Sequence, residues 1–167
     1  DDPYFSLAGG LAETRHVFLT GNDLPARFRD GFQIAELGFG TGLNLLATVL
    51  AHHGPGHLHF TSFEAFPLPP EAIARALDAF PETAPLAPGF LAQWSAQTGP
   101  ARTLRFPGLT ATILIGDARE TLPAWAGRAD AWFLDGFSPA KNPELWSPDL
   151  MAQVARHTAP RGTFATY

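Results

Sequence analysis

The chain has 167 residues, 46% of them hydrophobic and 16% charged, with 16 acidic against 11 basic residues and a net charge of −5. This balance fits one globular domain with a sizeable core, and it disfavours a surface that grips nucleic acid by charge alone, since Lys and Arg neutralising phosphates supply most non-specific affinity. The absence of cysteine excludes disulfides and thiolate metal sites. No apolar run approaches the roughly 18 residues of a membrane-spanning helix, and the opening "DDPYFSLAGG" lacks the basic-then-apolar pattern of a secretory signal, so the chain reads as soluble, cytoplasmic and without a membrane partner.

In chain order, residues 1–30 read as an extended or hairpin-like appendage with a turn at "TGND", its Phe18 and Phe28 packed on a core spanning 31–167. Ile34 to Gly40 reads as a strand, and Leu43 to Ala51 as a helix marked by Leu45, Leu46, Val49 and Leu50. The strand "HLHFTSFEA", His57 to Ala65, precedes a helix with Pro70 near its start and Ile73, Leu77 and Phe80 on one face. From Pro81 to Gly108 the chain reads as an elaborated connection anchored by Phe90 and Trp94. "LTATILIGD" and "ADAWFLDG" have the continuous apolar character of strands buried on both faces of a parallel sheet, and between them lies a short helix interrupted by Pro123. Ser147 and Pro148 cap and open the next helix, and "GTFATY" is a fifth strand. The alternation predicts a doubly wound, mostly parallel α/β sheet, with the third, second, first, fourth and fifth strands side by side in that order.

The stretch "IAELGFGTGLNLL" carries Gly38, Gly40 and Gly42 where a strand must turn sharply into a helix. The third glycine comes one residue too early for a dinucleotide fingerprint, and no G-K-[ST] follows for a triphosphate. Opening with Glu36, the turn instead has the E-x-G-x-G-x-G form found in Rossmann-like methyltransferases that use S-adenosylmethionine. That cofactor has no pyrophosphate and needs close backbone approach, with acidic side chains to take its ammonium and hydroxyl donors. Acids at later strand ends extend the pattern: Glu64 for the ribose hydroxyls, Asp117 with the adjacent Ala118 for the adenine edge, and Asp135 facing the substrate. Each has a structural alternative. Glu36 lies inside its strand end and is placed to brace the glycine turn, Glu64 is a solvated strand-end carboxylate, Asp117 a turn former, and Asp135 a turn aspartate. His52, His53, His57 and His59 lack a carboxylate motif and ligand spacing on one helix, so no metal site is expected.

"DGFSPAKNPELW", with "ELGFGTGLN", "SFEAFPL", "DAWFLDGF" and "PYFS…GLAETRHVFLTGN", closely resembles the methyltransferase part of the bifunctional enzyme that makes 5-methylaminomethyl-2-thiouridine in tRNA, together with its stand-alone relatives. The resemblance runs from about Tyr4 to Tyr167. It implies a Rossmann-like class I methyltransferase fold, S-adenosylmethionine as cofactor, tRNA as substrate, and N-methylation of the 5-aminomethyl group on the wobble uridine. In many family members an FAD-dependent oxidase domain follows. The resemblance also implies a further helix and two last strands after "GTFATY", so the chain is expected to be truncated. Asp135 is the candidate acceptor for the reacting amine, with Phe137 and Pro139 as walls of the catalytic pocket; core packing is the alternative for both. Lys141 is read as a phosphate contact or a solvated lysine. Arg15, Arg27, Arg29, Arg102 and Arg105 complete the residues available for a basic patch. Two other functions fit the same fold: a small-molecule methyltransferase or aminopropyltransferase, and a non-catalytic Rossmann-like binding module.

Overall fold

The computed structural model describes residues 9–136 and 142–167. Six strands form one sheet: β1 (Gln33–Leu37), β2 (Leu58–Glu64), β3 (Ala101–Phe106), β4 (Leu109–Ile115), β5 (Ala129–Leu134) and β6 (Thr158–Ala165), in the order β3-β4-β2-β1-β5-β6. Every neighbouring pair is parallel except β3 and β4, which are antiparallel. The five parallel strands stand in the expected order, which reverses direction between β1 and β5. At such a switch point the connections leave to opposite sides and open a crevice at the carboxyl ends of the strands.

Strand alternation sorts the core into two layers. Ile34, Phe60 and Phe133 face one side, where they meet Leu45 and Leu46 of α2 (Leu43–Ala51), Ile73 and Leu77 of α3 (Pro70–Leu77) and Phe90 and Trp94 of α4 (Ala87–Ser95). Ala35, Leu37, Phe63, Trp132 and Leu134 face the other, against Leu122 of α5 (Ala118–Ala124) and Leu150 and Val154 of α6 (Pro148–Arg156). Pro70 opens α3, and Ser147 Oγ accepts the Leu150 N–H at the start of α6, as the sequence indicates.

Two expectations are corrected. The appendage is helical rather than hairpin-like: α1 (Gly10–Thr14) runs on through one π-helical stretch, Arg15–Leu19, and a 3-10 turn at Thr20–Asn22. The spacing of Leu11, Thr14 and Phe18, all buried, explains this, since a helix puts them on one face toward the sheet. Phe18 is fully buried against Phe133, and Phe28 packs on the same layer. The second correction concerns the 81–108 segment, which is more than a connection: it contains α4 and the edge strand β3, and β3 returns into β4 through Pro107 and Gly108.

Candidate functional site

The site begins with the glycine turn between β1 and α2. Gly38, Gly40 and Gly42 have φ of +86°, +53° and +78°, the left-handed region where a β-carbon is strained. At Gly38 a β-carbon would lie 3.3 Å from the Asp135 carbonyl oxygen, so the turn presses against the end of β5. At Gly42 it would lie 2.8 Å from the Phe90 ring. The turn is tied to its neighbours by backbone bonds: Gly38 N–H donates to Phe63 C=O at 2.9 Å, and Gly116 N–H to Glu64 C=O at 2.9 Å. The carboxyl ends of β1, β2 and β4 thus meet in one place.

Glu64 holds this junction. Its Oε2 accepts the N–H groups of Phe39 and Gly40 at 2.9 and 3.0 Å, and its Oε1 accepts the Phe66 N–H at 2.7 Å. A carboxylate has about four acceptor directions, so Glu64 retains capacity for one further donor. Phe66 beside it is exposed.

Strand periodicity assembles a second group. Two residues beyond Ile34, Phe60 and Phe133 stand Glu36, Ser62 and Asp135, on the same side of three adjacent strands. Asn44 of α2 reaches down to them, donating through Nδ2 to Glu36 Oε1 at 2.8 Å and to Asp135 Oδ2 at 2.7 Å. Ser62 Oγ donates to Glu36 Oε2 at 2.6 Å, and Thr14 Oγ1 of α1 donates to Asn44 Oδ1 at 3.0 Å. Glu36 is fully buried, and both its oxygens are engaged inside the protein. Burial holds its carboxyl well above the ordinary range against the opposing pull of Ser62 and Asn44, and the nearby Asp135 and Glu64 charges push the same way. Burial likewise pushes Asp135 up to about 7, opposed by the Asn44 bond and assisted by Glu13.

Asp117 stands apart from this network. It is the N-cap of α5, its Oδ1 accepting the Arg119 N–H at 2.8 Å, and its partly exposed carboxylate pairs with the Arg119 guanidinium. That pairing holds its pKa below the ordinary value. Ala118 is buried at the first position of α5. Phe137, Pro139 and Lys141 lie outside the described residues. Among the described residues no group of three or more His, Asp or Glu side chains converges as a metal site would require. An open depression of about 470 Å³, lined by Phe28, Arg29, His52 and their neighbours, lies at the opposite end of the sheet, where the chain enters β1 and leaves α2.

Sequence reasoning names both carboxylates of the network but misses Asn44 and Thr14. Asn44 shows, with Thr48, as a polar residue in an otherwise apolar helix stretch, and Ser62 as a polar residue in register with Glu36, the partner that alternation assigns it.

A six-stranded, doubly wound sheet with a glycine turn at the switch point and an acid at each adjoining strand end defines a Rossmann-like class I methyltransferase. The chain belongs to a family of S-adenosyl-L-methionine-dependent methyltransferases, whose profile matches residues 81–167, just over half of its length. It is 49% identical over 179 residues to the tRNA 5-methylaminomethyl-2-thiouridine biosynthesis bifunctional protein MnmC of Ectopseudomonas mendocina, covering 99% of this chain and 27% of that protein. With the protein of the same name from Aeromonas salmonicida it shares 45% identity over 183 residues, covering 99% of this chain and 28% of that one. The chain therefore spans little more than a quarter of the length of these relatives. Among solved structures it resembles MNMC2 from Aquifex aeolicus, with a TM-score of 0.71 and 25% identity over 99% of this chain and 53% of that one.

The residues present suit the family's cofactor. The charges acting on Glu36 and Asp135 are all carboxylates, an environment that opposes a pyrophosphate and favours a sulfonium and an ammonium group. The three glycines keep β-carbons out of the turn, which leaves its backbone open to a ligand of this kind.

Proposed function

We propose that this chain carries out the N-methylation of the 5-aminomethyl group of a modified wobble uridine in tRNA, giving 5-methylaminomethyl-(2-thio)uridine. The observation that carries the reading is its 45% and 49% identity, over nearly the whole chain, to proteins named for the biosynthesis of that nucleoside. The chain is then the methyltransferase domain of a longer cytoplasmic protein, with an oxidase domain outside it. S-adenosylmethionine supplies an activated methyl group on sulfur, and the task left to the protein is alignment of the amine and exclusion of water.

In this reading the glycine turn from Gly38 to Gly42 takes the methionine and ribose portion by close backbone approach. Glu64 offers its remaining acceptor capacity to a ribose hydroxyl, and Asp117 with Ala118 borders the adenine. Glu36, having no exposed atom, acts from beneath by bracing Asn44 and the strand end. Asp135 accepts an N–H of the substrate amine, turning the nitrogen lone pair outward and receiving the proton released as the new C–N bond forms. Its pKa of about 7 suits that exchange near neutral pH.

The test is single-turnover methylation of tRNA bearing 5-aminomethyluridine by Asp135→Asn. The expected result is a rate about 10²-fold lower with cofactor affinity changed less than about threefold. A wild-type rate in that variant removes Asp135 from the reaction, and transfer to small amines with none to this tRNA redirects the substrate assignment.

A further inference from the structure

Among the described residues, Asn44 is the side chain through which the buried network hydrogen-bonds Asp135. Thr14, Asn44, Glu36 and Ser62 are each 5% exposed or less, so no solvent stands in for a lost partner. A primary amide has two N–H bonds, and both are spent here, one on Glu36 Oε1 and one on Asp135 Oδ2. The reversed amide would turn its oxygen toward two carboxyl oxygens, a repulsive arrangement unless both carried protons. The two carboxyls therefore fix which way the amide faces, and Thr14 Oγ1 completes its acceptor side. Asp135 Oδ2 is drawn inward by this contact, while Oδ1 stays outside the network.

The groups bearing charge on Asp135 come from three directions. Glu36 lies on β1 through their shared amide, Glu13 acts from α1, and the Tyr167 hydroxyl senses Asp135 from the stretch after β6. None of these is a cation, so the Asn44 N–H is the contact in this set that favours the charged carboxylate.

We propose that Asn44 is a positioning residue for methyl transfer: its amide, held by Thr14 of α1, aims the Asp135 carboxylate at the amine to be methylated. This rests on the reading of Asp135 as amine acceptor. The N-terminal helix then belongs to the machinery of the reaction, since Thr14 reaches Asp135 through a single side chain.

The experiment compares Asn44→Ala, Thr14→Val and Asp135→Asn in the full-length protein. It measures the single-turnover rate against pH with tRNA bearing 5-aminomethyluridine, cofactor-product affinity with S-adenosylhomocysteine, and the Asp135 carboxyl titration by ¹³C NMR. For Asn44→Ala we expect a rate about tenfold lower near neutral pH, a rising limb and an Asp135 titration both displaced about one pH unit upward, and affinity within about threefold of wild type. Thr14→Val, close in shape to the native residue, should move the limb and the titration the same way by a smaller amount; it decides the matter should Asn44→Ala not fold. A folded variant whose limb and carboxyl titration coincide with wild type overturns the positioning role. Asp135→Asn separates the two failures: a normal rate there rejects the acceptor reading itself, whereas a slow Asp135→Asn beside an unmoved Asn44→Ala rejects the present inference alone.

Discussion

The charges that act on Glu36 and Asp135 are carboxylates, and burial without a cation raises the proton affinity of both. Folding therefore works against ionisation at the site itself. For Asp135 the folded-state value of about 7 lies above its ordinary 3.8, so across that window the folded chain holds a proton that the unfolded chain has released. Stability is fully present below the lower value and is lost as the pH rises through the upper one; Glu36 adds a loss of the same sign. Isosteric neutral replacements lift this penalty. Asp135→Asn should raise the melting temperature at about pH 8, by the equivalent of about 1 to 4 kcal/mol, and Glu36→Gln should raise it in the same direction, both changing it little near about pH 4. In Glu36→Gln the new amide still accepts from Asn44 and donates to Ser62, so cofactor affinity should stay within about twofold. A melting temperature lowered at pH 8 in both variants would mean that the two carboxyls are ionised partners of something else in the fold.

At the scale of the element, α4 and β3 show why part of this fold was legible in the sequence and part was not. Among the parallel strands β1, β2 and β5 announce themselves by runs buried on both faces, and α3 and α6 by Pro70, Ser147 and Pro148 at their starts. β3 gives no such run: "ARTLRF" buries only Leu104, because it lies at the sheet's edge with a polar face outward. Its signal was the Pro107-Gly108 pair between two strand-like stretches, a hairpin turn with Gly108 at φ +74°. What secures this edge was also invisible in the pattern. Gln93 of α4 and Gln97, four residues on and just past the helix end, lay their amides along β3: Gln93 accepts the Arg105 N–H at 2.7 Å and donates to its C=O at 3.0 Å, and Gln97 does the same to Thr103 at 2.8 and 2.7 Å. Two side chains thus occupy backbone groups that a seventh strand would otherwise pair. The same helix supports the site, since Trp94 stacks on Phe39 of the glycine turn at 5.1 Å and carries Arg102 at 4.0 Å on its ring. Removing both amides with Gln93→Ala and Gln97→Ala should cost about 2 to 4 kcal/mol in chemical denaturation and promote self-association visible by light scattering. Unchanged stability and a monodisperse solution would show that the edge needs no such cover.

For the molecule as a whole, charge and fold together limit how the proposed tRNA substrate could be gripped. Of the six basic residues that the sequence makes available, three have partners within the structure, and of these Arg29 keeps an exposed side chain. Arg27 donates to the carbonyls of Asn22 and Asp130 and to Thr163 Oγ1, Arg29 pairs with Asp130 at 2.9 Å, and Arg102 lies over Trp94. Arg15 and Arg105 remain exposed, and Lys141 lies outside the described residues. Arg75, Arg128, Arg156 and Arg161 are exposed as well, but with a net charge of −5 the chain as a whole presents little positive field to phosphates. On the proposed function, recognition would lean on the modified base at the crevice beside Asp135 and on portions of the longer protein that the relatives contain. Each neutralised phosphate contributes about −0.7 to −0.9 to the slope of log affinity against log salt. Fluorescence anisotropy with tRNA, titrated for this chain alone between about 50 and 300 mM salt, should therefore give a slope near about −2 to −3. Charge reversal of Arg15 or Arg105 should reduce that slope by about one, whereas Arg102→Gln should leave it unchanged and lower stability instead. A slope steeper than about −6 would require a basic surface that these residues do not supply, and would move the source of tRNA affinity back into this chain.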